Sequence, residues 1–137
     1  DVIWFPAYKS VNKGHTAILT VLNTTTRIAL ARALKSNKGE SVAPAMKDIL
    51  EELRKSRPKK LIVTLRIDGG SEFKGLTAQL LIDRGISIQH VEPFTHAMLA
   101  RTDRFHRTLR ERLGEHFERT KNHVWIDVLD DIESNIN

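Results

Sequence analysis

Between Lys59 and Phe73 a short apolar run, Leu61-Ile62-Val63-Thr64-Leu65, leads through Arg66 and Ile67 to Asp68, Gly69 and Gly70. The run is rich in β-branched residues and too short for a core helix, so it reads as a buried strand. A strand of this kind needs other layers to cover it, which points to an α/β architecture. The carboxylate at its end stands beside two residues without side chains, where another group can approach the backbone closely. An Asp-Gly step is also ordinary turn chemistry. Partners elsewhere in the chain decide between the two readings.

The flanking sequence supplies the layers. Asp1 to Pro6 is a short apolar segment that opens on a carboxylate, and Pro6 ends it. Asn12-Lys13-Gly14 is a turn signal. Thr16–Leu22 reads as a second strand, and Arg27–Leu34 as a third that folds back on it. Ser41 is a candidate N-cap for a helix with Pro44 in its first turn. Val42, Ala45, Met46, Ile49, Leu50 and Leu53 form its apolar face. Arg57-Pro58 stops that helix. After the Asp68 strand come a short helix ending near Gly85 and a fifth strand over Ile86–Val91. Glu92–His96 reads as a loop, and Pro93–Leu99 by position as a loop beside the site. A long helix is expected from about Ala97 to Lys121, with Phe105, Leu109, Leu113 and Phe117 as its core stripe. Trp125, Val128, Leu129 and Ile132 outline a last helix. Trp4, Phe5, Phe73 and Trp125 are expected in the core. The pattern predicts a mixed five-stranded sheet, a three-strand antiparallel meander plus two parallel strands, flanked by helices.

Composition narrows the function classes. At 137 residues the chain is expected to be one domain and, from its start at Asp1 rather than Met, an excised segment. It has no cysteine, so disulfides and Cys-based zinc sites are excluded within it. No apolar run is long enough to span a membrane. The net charge of +5 is compatible with a nucleic-acid partner.

Three acids stand at informative places. Asp1 opens the first strand, Asp68 closes the fourth, and Asp103 lies early in the long helix. Convergent carboxylates repel one another unless cations lie between them. Such hard oxygen donors suit Mg²⁺ or Mn²⁺, and a pair of such ions is the device that moves phosphodiester bonds. On the helix, His106, Arg107 and Arg110 fall three, four and seven positions after Asp103 and so share its face. A cationic row there would hold a DNA backbone; a solvated helix face gives the same pattern.

Asp68-Gly69-Gly70-Ser71-Glu72-Phe73 resembles the Asp-x-Gly-x-Glu-Phe box of retroviral-type integrase catalytic cores. Asp103-Arg104-Phe105-His106-Arg107-Thr108-Leu109-Arg110 is similar to the Glu-Arg-Phe-Asn-Arg-Thr-Leu-Lys helix of that family. Trp125 to Asn137 resembles the segment that follows it, and Asp1-Val2-Ile3 with Asn12 and Gly14 resembles the family's opening. The flavour resembles that of Maverick/Polinton DNA transposons and long-terminal-repeat retrotransposons.

The resemblance implies a ribonuclease H-like fold over residues 1–137. It implies a metal-dependent polynucleotidyl transferase that processes 3′ ends of a mobile element or virus and joins them to target DNA. Asp1, Asp68 and Asp103 would be the catalytic and metal-binding triad for two Mg²⁺ or Mn²⁺ ions. His106, Arg107 and Arg110 would contact DNA; Glu72 reads either as a group that supports the ligands from outside or as a salt-bridge partner. Double-stranded DNA, a homodimer or larger homo-oligomer, and the nucleus are the implied partners and location. Two departures stand out. The third acid is Asp where the family has Glu, and 34 residues separate it from Asp68, one fewer than usual. A weakened or domesticated module that binds DNA or dimerises without cutting, and a nuclease that hydrolyses without joining, are the alternatives.

Overall fold

The structure is a computed structural model that describes residues 2–4, 9–23, 28–36, 38–56, 64–67, 73–90 and 96–136. Five strands are seen among them: β1 (Val2–Trp4), β2 (Ala17–Leu22), β3 (Ala29–Leu34), β4 (Thr64–Ile67) and β5 (Ser87–His90). Four α-helices accompany them: α1 (Gly39–Ser56), α2 (Leu76–Asp83), α3 (His96–Thr120) and α4 (Leu129–Ile136). The first three strands form the expected antiparallel meander, with Val2 opposite Leu19 and Thr20 opposite Ala31. β4 and β5 are parallel, with Ile67 opposite His90. The division into three antiparallel and two parallel strands follows the sequence reading. Among the described residues these are two sheets, with no ladder joining them.

β2 explains the layering. Its residues alternate between two apolar clusters, as the twofold repeat of a strand requires. Ala17 and Leu19 belong to a cluster with Val42, Met46, Ile49 and Leu50 of α1, Leu81 of α2 and Ile67 of β4. Ile18 belongs to the other, with Ile3, Phe105, Leu109 and Leu113 of α3, and Trp125. Helices therefore cover both faces, the α/β layering that the sequence predicts. The four-residue stripe of α3 is confirmed: Phe105, Leu109 and Leu113 are buried and Phe117 packs at the edge of their cluster. Phe73 and Trp125 are core residues as expected. Phe5 and the side chain of Trp4 lie outside the described residues.

Three boundaries differ from the expectation. α1 starts at Gly39, ahead of Ser41, because the Lys38 carbonyl already accepts the amide of Val42 at 3.0 Å. Pro44 is thereby inside the helix rather than in its first turn. α3 starts at His96, so His96–Leu99 are helical rather than loop, while residues 93–95 lie outside the described residues. α4 starts at Leu129 rather than at Trp125, and Asn12 holds the stretch before it by the amides of Trp125 and Ile126. Both donate to Oδ1 of the fully buried Asn12, at 2.7 and 3.1 Å, and the Asn12 amide donates to the His123 carbonyl at 2.9 Å. One side chain in the β1–β2 connection thus holds the α3–α4 connection. Gly85 caps α2 as expected: its amide reaches Ile82 and that of Ile86 reaches Leu81, with φ of +70° at the glycine.

Gly114 is an exposed glycine inside α3, and a Cβ built there meets nothing within 4 Å. Gly114→Ala is expected to raise stability by about 0.5–1 kcal/mol through helix propensity alone. Urea unfolding of the two proteins checks it.

Candidate active site

The apolar stripe of α3 fixes which side of the helix meets the sheet. Phe105, Leu109 and Leu113 face the core, which turns Asp103, Arg107 and Arg110 outward as exposed residues. Together with His106 and Glu111 they line one surface cleft of about 450 Å³. The row expected from the sequence is therefore one physical feature: a carboxylate, two guanidinium groups and an imidazole on a single helix face. Glu111, an acid further along the same helix that tempers the basic row in the sequence, lines the cleft as well. Its carboxylate lies in the same cleft as the two arginines and offsets part of their charge.

His106 differs from its neighbours. It is only 8% exposed, and its Nε2 lies 2.6 Å from the Thr20 hydroxyl of β2. Its ring turns toward the helix–sheet seam, so within this row the exposed cations for phosphate are Arg107 and Arg110. Burial pushes the His106 pKa down to about 4, helped by the Arg110 guanidinium and opposed by the Asp103 carboxylate. The imidazole is therefore neutral at pH 7, whereas in the unfolded chain it titrates near 6.5.

That shift has a pH signature. The folded state binds the proton less readily than the unfolded chain, so the contribution is fully present above about pH 6.5 and is lost as the pH falls toward 4. Urea midpoints at pH 7 and pH 5 check it: His106→Asn should lower the difference between them. An unchanged difference would mean that His106 is not the group responsible.

Asp1, Asp68 and Glu72 lie outside the described residues, so their expected convergence with Asp103 is not part of the described geometry. Their chain neighbours are. Val2, next to Asp1, packs against the cluster that contains Ile67, next to Asp68. Ile3 shares the opposite cluster with Phe105, two residues from Asp103. The described residues next to the three acids therefore belong to the clusters on the two faces of β2. Among the described residues no group of three His, Asp or Glu side chains could by itself hold a metal ion. Asp103 brings one exposed carboxylate, a hard oxygen donor of the kind Mg²⁺ and Mn²⁺ accept.

A second charged centre went unanticipated. Arg32 of β3 binds Asp48 at 2.6 Å, Glu52, and Glu133 of α4 at 3.4 Å, tying both helices to the sheet. Burial pushes the Glu133 carboxyl above the usual range, against a backbone hydrogen bond from Ala31 and the Arg32 charge. Burial alone would lower the Arg32 pKa, but the hydrogen bonds of Asp48 and Glu52 outweigh it and hold the guanidinium charged. Arg32 sits inside an alternating apolar strand, and spacing offers no signal for partners 16 to 101 positions away.

Comparison with known proteins agrees with this arrangement. No protein-family model matches the chain. An uncharacterized transposon-derived protein of Caenorhabditis elegans is 28% identical over 130 residues, covering 95% of this chain. The chain spans 43% of the length of that relative. Among solved structures, the catalytic core domain of BIV integrase superposes with a TM-score of 0.61 at 18% identity, over 75% of this chain and 64% of that one. The chain has the fold of a retroviral integrase catalytic core and is similar, along nearly its whole length, to a transposon-derived protein.

Proposed function

We propose that this chain is the catalytic core of a DNA-integrating enzyme, a polynucleotidyl transferase that trims the ends of a mobile element and joins them to target DNA. The observation that carries the proposal is the α3 cleft, where Asp103 stands beside Arg107 and Arg110 on an integrase-core fold. Asp1, Asp68 and Asp103 would together hold two Mg²⁺ or Mn²⁺ ions. When bound, such ions stabilise charge on the attacking and leaving oxygens of a phosphoryl displacement. Arg107 and Arg110 bind the phosphate backbone and set its register along α3. Glu72, four residues past Asp68, belongs to the surrounding groups that orient the ligands. The burial of His106 favours a role in holding α3 over a direct phosphate contact. Double-stranded DNA, assembly as a homodimer or larger, and action in the nucleus complete the reading, with residues 1–137 as the core of a longer protein.

Arg107→Ala and Arg110→Ala are each expected to weaken DNA binding across all sequences. Each should lower the slope of log affinity against log salt by about 1. Fluorescence titration at several salt concentrations measures both. The activity itself is tested with the purified full-length protein and its own element ends in Mn²⁺. Cleaved ends and joined products are expected. Cleavage without joining would make it a nuclease, and the absence of both would leave a binding module.

A further inference from the structure

Thr20 is a polar residue in a place built for an apolar one. It is 3% exposed and lies two positions beyond Ile18, on the strand face that meets α3. A buried hydroxyl costs free energy unless it is hydrogen-bonded. Here it is bonded: Nε2 of His106 lies at 2.6 Å. His106 is one turn from Asp103, so whatever holds His106 holds the stretch of helix that carries the acid.

The apolar stripe sets the rotation of α3, because a polar face cannot turn inward. It sets the position along the axis less sharply, since similar side chains repeat at every turn and apolar contacts are not directional. A hydrogen bond is directional and short, and it resists a slide of even part of the roughly 1.5 Å rise of one residue. The anchor is also well placed. Thr20 follows Leu19, whose partner across the ladder is Val2, the residue covalently next to Asp1.

We propose that Thr20 is a positioning residue for the strand-transfer site: through its bond to His106 it sets the axial register of α3, and with it the position of Asp103 relative to β1, which begins one residue after Asp1. This inference rests on the reading of Asp103 as part of the reacting site. A displacement of about 1 Å in such a site costs on the order of a hundredfold in rate.

The test measures joining of element ends by the full-length protein in Mn²⁺, together with DNA affinity and urea stability. Thr20→Val is expected to slow joining by about tenfold to a hundredfold with DNA affinity unchanged. Thr20→Ser keeps the hydroxyl and loses a methyl, so it should lose some stability yet join close to the normal rate. A purely structural role predicts the reverse order, with the better-packed valine the faster of the two. The double variant Thr20→Val/His106→Leu replaces both polar groups by apolar ones, should fold, and should stay slow. An active parent protein together with Thr20→Val or the double variant at the parent's rate overturns the positioning role alone. An inactive parent protein overturns the integrating-enzyme reading and this inference with it.

Discussion

Asp103→Asn should reduce joining of DNA ends by about a thousandfold while leaving stability within about 0.5 kcal/mol of the parent. The two halves of that expectation have separate causes. Asp103 is exposed on α3 and the packing of the helix rests on Phe105, Leu109 and Leu113, so the fold does not need the carboxylate. A metal ligand, by contrast, acts on charge in the transition state worth several kcal/mol, and each 1.36 kcal/mol or so is a factor of ten. Asparagine keeps the size and loses the charge. Asp103→Glu carries the charge but extends the reach by about 1.5 Å. On the proposed reading it should slow joining about tenfold or more, because a displacement of about 1 Å in a reacting site costs on the order of a hundredfold. A sharp gain with glutamate would mark a decayed triad instead. Rates are read from joined products at saturating DNA, with unfolding followed in parallel.

The second large effect concerns Asn12→Ala, expected to destabilise the protein by about 3–5 kcal/mol. Asn12 accepts from the amides of Trp125 and Ile126 and donates to the carbonyl of His123, all near the buried Trp125. Alanine leaves those backbone groups without this partner, the Trp125 amide in a buried bond and the other two in partly buried ones, and each such group costs about 1–3 kcal/mol when it stays buried. Domains of this size are stable by only about 5–15 kcal/mol in total, so the change is large. Asn12→Asp should not rescue it, since the aspartate brings a second acceptor against the His123 carbonyl and a buried charge. The loss should also reach the site. Trp125 shares its cluster with Phe105 and Leu109, and loosening the connection loosens the packing of α3. Urea midpoints of the three proteins decide the matter; an alanine variant within about 1 kcal/mol of the parent would show that the tether is dispensable.

Much of this was legible in the sequence, for a physical reason. The strands and the α3 stripe are written in local periodicity, and Gly85 marks the end of α2 because a left-handed residue there favours glycine. Spacing alone put Asp103, Arg107 and Arg110 on one face, and the cleft unites them. What spacing cannot carry is contact between distant segments. Asn12 looked like part of a turn, yet its side chain holds the stretch before α4, more than a hundred positions away. His106 looked like one more cation on an exposed row. Only the placement of Thr20 shows that the ring turns inward, because i+3 spacing defines a face to within a broad arc and the seam lies at the margin of that arc. Arg32 and its three acids follow the same rule.

The proposed chemistry depends on the acids at the ends of two strands and on α3 forming one metal site. Diffraction from crystals of the protein soaked in Mn²⁺, read through the anomalous signal of the ion, tests this most directly. The expected result is manganese held jointly by the carboxylates of Asp1, Asp68 and Asp103, beside Arg107 and Arg110. Crystals in which those carboxylates point apart, with no manganese between them, would contradict it.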